Sequence, residues 1–115
     1  MDAVNAKRQL TIKTGVVKRL TKEEKTYVKE ADEQRQRIDK YIDDGKDEWH
    51  INKQKEVLQD CLRMIPDSQQ RLAAAVEDLV SLLQSLADDA DISSSEAATA
   101  AREAIDAAAR AKETS

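Results

Sequence analysis

Between Ile51 and Leu86, apolar residues recur at alternating steps of three and four. They are Ile51, Leu58, Cys61, Ile65, Leu72, Ala75, Leu79, Leu82 and Leu86, with only Gln54 and Ser68 breaking the ladder. This is the stripe of a helix that packs along its length against other helices. Rising about 1.5 Å per residue, the stretch predicts a rod of roughly 54 Å. A second stripe, Leu10, Val17, Leu20, Tyr27, Ala31, Ile38 and Tyr41, is broadened by Val16, Val28 and Ile42. It predicts a first helix over about 5–42, with polar Lys13, Glu24 and Gln34 at the missing heptad places.

Asp43-Asp44-Gly45-Lys46-Asp47 lies between the two stripes. Gly45 suits the left-handed conformation that ends a helix, and Asp47 suits the cap of the next. So short a link makes the second helix, about 48–86, run back antiparallel to the first. Pro66 falls inside it and removes a backbone donor, but the apolar register continues from Ile65 to Leu72, so one kinked helix is expected. Ser93-Ser94-Ser95-Glu96 matches a capping box and predicts a third helix over about 94–112. Its expected inner face is Ala98, Ala101, Ile105 and Ala108, and small alanine areas make it the least firmly docked element, fraying over 113–115. The pattern predicts an all-α fold: an elongated antiparallel three-helix bundle, up-down-up and left-handed, kinked at Pro66, forming a single domain over 1–115.

Composition supports thin helices over a thick core. Charged residues make up 37% and aromatics 3%, and Phe is absent. Two Gly and one Pro are too few for the turns of a sheet protein. Gly15 lies inside the first helix, where it costs about 1 kcal/mol relative to Ala. Close approach of a neighbouring helix explains it, and so does close approach of a partner.

Net charge is −4, unevenly spread. Residues 1–25 hold seven Lys/Arg against three Asp/Glu, while 86–115 hold three against seven. Lys7, Arg8, Lys13, Lys18, Arg19, Lys22 and Lys25 form a basic band, which implies an acidic partner. Nucleic acid fits poorly, because no aromatics interleave with the band and the whole chain is acidic. A coiled-coil adaptor, with Lys13, Gln34 and Gln54 as contacts setting register between chains, is a further reading.

Catalytic and metal chemistry find little support. His50 is the only histidine, and its spacing to Asp47 and Glu48 fits no zinc or calcium loop, so Asp47 reads as a cap. Cys61 sits on the apolar stripe and reads as core. No apolar run spans a bilayer, no signal peptide is evident, and one cysteine builds no disulfide framework. A soluble, cytoplasmic, non-enzymatic protein without cofactor, metal, membrane or nucleic-acid partner is expected.

Three blocks are more specific: Ile12-Lys13-Thr14-Gly15-Val16-Val17-Lys18-Arg19-Leu20, Ile51-Asn52-Lys53-Gln54-Lys55-Glu56-Val57-Leu58, and Met64-Ile65-Pro66-Asp67-Ser68-Gln69-Gln70-Arg71-Leu72. In this order and spacing they closely resemble the tubulin-specific chaperone A family, also called tubulin-folding cofactor A, over roughly residues 8–86. The chain departs from the family pattern in its Ala-rich third helix and in Trp49, where tyrosine is usual.

The resemblance implies a small three-helix protein, associated with the cytoskeleton, that binds β-tubulin released from the cytosolic chaperonin. It would hold that subunit quasi-native for assembly with α-tubulin by other cofactors, without hydrolysing nucleotide. On this reading Lys18, Arg19 and Lys22 contact tubulin, and the bend at Pro66, with Met64, Asp67 and Arg71 beside it, shapes part of the docking surface.

Overall fold

Asp2 starts the first helix by accepting a hydrogen bond on its carboxylate from the Asn5 amide at 2.7 Å. In the computed structural model, which describes residues 2–114, helix α1 then runs over Ala3–Asp43. Gly45 turns the chain with a φ of +72°, a left-handed conformation that suits glycine. Asp47 caps α2, Glu48–Ser85, accepting from the His50 amide at 2.9 Å. Helix α2 continues through Pro66 as one element. Two contacts fix its direction against α1: Lys13 pairs with Asp78, and Gln34 bonds to Gln54. As one residue number rises the other falls, so the helices are antiparallel.

The expected count of three helices is corrected to four. Asp89 accepts from the amides of Asp91 and Ile92 at 3.1 and 3.3 Å, closing a short helix α3, Ala90–Ser93. That turn delivers Ile92 into the core, where it is almost fully covered. Ser93 is thereby helical already and cannot head the next element. The capping box anticipated at Ser93 and Glu96 does not form; Ser95 Oγ accepts from the Ala98 amide at 3.2 Å instead. Helix α4 follows over Glu96–Thr114, longer than expected at its end, while Ser115 lies outside the described residues.

Helix α4 packs mainly on α1 and runs in the same direction. Leu10 shares a cleft with Ala98 and Arg102, and two turns or more along, Glu24 shares another with Ala108 and Lys112. Its buried face is Ala98, Ala101, Ala104, Ala108 and Ala111. Ile105, expected on that inner face, is only half-buried. Alanine lets the backbones approach, so long residues from the other helices fill the shared core: Leu10, Val17, Leu20, Leu72 and Leu79.

The molecule is a rod of 64 × 18 × 17 Å. Near the Glu24 and Gln69 level α4 ends, and α1 and α2 continue to Gly45 as a pair. Beyond the end of α4, Tyr27, Val28, Leu58, Cys61, Leu62 and Ile65 are only half-buried.

Candidate functional site

The basic band divides into two groups by what faces it. From Ala3 to Lys22, α1 carries six cations and no carboxylate. Lys7 reaches Asp91 at 3.4 Å, and Lys13 pairs with Asp78. These two tie α1 to its neighbours and drop out of the candidate surface. Arg8, Lys18, Arg19, Lys22 and Lys25 are exposed and make no ion pair among the described residues. Their charge is presented to solvent, a surface that attracts acidic partners.

The α2 candidates are exposed as well. Met64 keeps 43% of its surface in contact with solvent, and Pro66 is exposed beside it. Asp67 and Arg71 are also exposed, but they form an ion pair across one helical turn, with Arg71 Nε 3.3 Å from Asp67 Oδ2. Interpolating between the Lys13–Asp78 and Gln34–Gln54 contacts puts Lys22 level with Asp67 and Ser68. The antiparallel register thus brings both sets to one level of the rod, although 40 or more residues separate them in sequence.

Gly15 is exposed, and a Cβ built on it meets nothing within 4 Å. Close approach of a neighbouring helix, one of the two explanations for this glycine, is therefore excluded. Next to it Ile12 is 49% exposed. Both residues lie off the apolar stripe of α1, on the side turned to solvent.

Two alternative chemistries lose their residues. Gln34, Gln54 and Lys13 are engaged within the chain, so they are not free to set register between chains as the adaptor reading requires. His50 Nδ1 lies 2.6 Å from Asp47 Oδ1. The hydrogen bond donated by the His50 amide, then the one with its ring, hold the Asp47 carboxyl below its usual value of 3.8. This is a capped helix start. No cluster of three or more metal-ligating side chains exists among the described residues, and no described helix is long and apolar enough to cross a membrane.

Comparison with known proteins gives a consistent result. The family model described as tubulin binding cofactor A matches residues 5–105. The tubulin-specific chaperone A of Bos taurus is 51% identical over 78 residues, covering 68% of this chain and 72% of the relative. The crystal structure of tubulin folding cofactor A from Arabidopsis thaliana superposes with a TM-score of 0.87 at 29% identity, covering 93% of this chain and 98% of the other. Human tubulin chaperone cofactor a gives 0.73 at 42% identity, with 88% and 95% covered.

Proposed function

The chain belongs to the tubulin binding cofactor A family, and from that premise we propose that it is a tubulin-folding cofactor that captures and holds β-tubulin. The family consists of tubulin-binding chaperone cofactors, not enzymes. In the proposed cycle a quasi-native β subunit released from the cytosolic chaperonin is bound, kept from aggregating, and passed to other cofactors for pairing with α-tubulin. The work takes place in the cytoplasm, beside the cytoskeleton that it supplies.

The observation that carries this reading is the unpaired cationic face of α1. A protein with a net charge of −4 keeps five exposed cations on a single helix without ion-pair partners among the described residues. Such a face speeds encounter with an acidic protein by electrostatic steering and disfavours wrong partners of like charge. Lys18, Arg19 and Lys22 are the proposed contacts there. On α2 the proposal adds Met64, Asp67 and Arg71, with a bend at Pro66 setting the angle at which they meet the subunit. A rod with a charged face covers a broad surface of a subunit without needing a deep pocket.

A native gel tests the reading. Labelled β-tubulin freshly released from chaperonin is run with the protein, beside α-tubulin and intact αβ dimer. A discrete complex with β-tubulin alone is expected. A complex with none of the three would overturn the proposal.

A further inference from the structure

We propose that Gly15 is a docking notch on α1, over which an acidic helix of the bound tubulin subunit crosses at close range. This rests on the capture reading above and names the contact through which it works. Glycine in the middle of a 41-residue helix lowers helix stability relative to alanine. Nothing inside the molecule offsets that loss, because the space above Gly15 is empty and no neighbouring helix enters it. What the missing side chain does provide is an approach to the α1 backbone from outside.

The surroundings of the notch specify what fits it. At 100° per residue, Arg8, Ile12, Gly15, Arg19 and Lys22 fall within about 40° of one line along α1. All five are exposed. Ile12 gives an apolar contact beside the notch, and the exposed backbone of α1 at Gly15 is its floor. Arg8 lies two turns to one side, and Arg19 and Lys22 one to two turns to the other. None of the three makes an ion pair among the described residues, and α1 carries no carboxylate from Ala3 to Lys22. A small apolar centre with a charged, hydrated rim is the anatomy of a protein interface. Here the rim carries one sign only, so the occupant carries the other. Helices pack by laying the ridge of one into a groove of the other, and a residue without Cβ deepens that groove. The occupant is therefore a helix with a small apolar ridge and carboxylates on both sides of it.

Gly15→Ala and Gly15→Leu test the proposal, with affinity for β-tubulin and thermal stability measured on the same samples. Alanine fits the empty space, so Gly15→Ala raises Tm by about 4 °C. If the notch is the contact, the same variant binds β-tubulin about tenfold more weakly, and Gly15→Leu more weakly still. An alanine at exposed Glu30, about two turns beyond Lys22 along α1, keeps wild-type affinity. Wild-type binding by both Gly15 variants, alongside capture by the unaltered protein, would overturn the notch and leave the capture reading standing. Failure of the unaltered protein to bind would instead overturn the capture reading, and the notch with it.

Discussion

Gln34 donates its side-chain amide to both carbonyl oxygens of Gln54, backbone and side chain, at 2.9 Å each. Gln34 is itself buried, and Arg37 donates to its remaining oxygen at 3.4 Å. This polar rung sits in the part of the rod that α4 does not cover, where aliphatic contacts alone fix the pairing of α1 and α2 weakly. A hydrogen-bonded pair in an apolar seam is satisfied in one register and orphaned in the slipped ones.

Gln34→Ala leaves the partner groups on Gln54 without their donor and is expected to destabilise the fold by about 1–3 kcal/mol. Replacing both glutamines with leucine removes the polar groups together and restores most of that stability. The double variant also loses the device that selects the register. Urea denaturation reads the first effect, and sedimentation reads the second as self-association. A double variant that is both stable and uniformly like the parent protein would show that the rung has no part in register.

Ser68 is fully buried, and its hydroxyl finds no partner among the described residues; Thr14 Oγ1 is likewise buried without one. An unsatisfied buried hydroxyl is a net cost, and alanine is the better helix former. Ser68→Ala is expected to raise stability by about 1 kcal/mol, with Thr14→Val moving the same way. Thermal unfolding of the single variants checks both signs. A loss of stability in Ser68→Ala would mean that the hydroxyl is bonded in solution.

Ala101 has no exposed surface, and α4 lies against α1 through a row of such alanines. Ala101→Leu pushes the helices apart and should cost about 1–3 kcal/mol. Ala109 is exposed, so the same change there stays within about 0.5 kcal/mol. Comparison of the two by urea titration tests whether close backbone approach holds α4 in place.

Pro66 is exposed, so its replacement leaves no cavity. Pro66→Ala restores a backbone donor to α2 and is expected to raise stability by about 1–3 kcal/mol. If a bend at this residue shapes the docking surface, the more stable variant captures β-tubulin less well. Unchanged capture would separate Pro66 from binding.

Much of this fold was legible from residue spacing. The stripe ending at Tyr41 gave α1 to within two residues, and Gly45 and Asp47 marked the hairpin by their chemistry. The short helix α3 was not legible. A buried Ile92 and an Asp89 cap compete with the Ser93 box over a few residues, and only the packed core decides between them. Neither was the split of the basic band readable, since Lys7 and Lys13 are neutralised by Asp91 and Asp78, which lie more than 60 positions away. Spacing along one helix gives a residue's direction, whereas ion pairing across helices depends on the register between them.

The most direct test of the account is the association rate of β-tubulin with the protein, measured across ionic strength for the unaltered chain and for Lys18→Glu/Arg19→Glu. Steering by the unpaired face of α1 predicts a rate that falls as salt rises, and a variant about tenfold slower at low salt that converges on the parent above roughly 0.5 M. Equal rates at low salt would contradict the claim that this face captures tubulin.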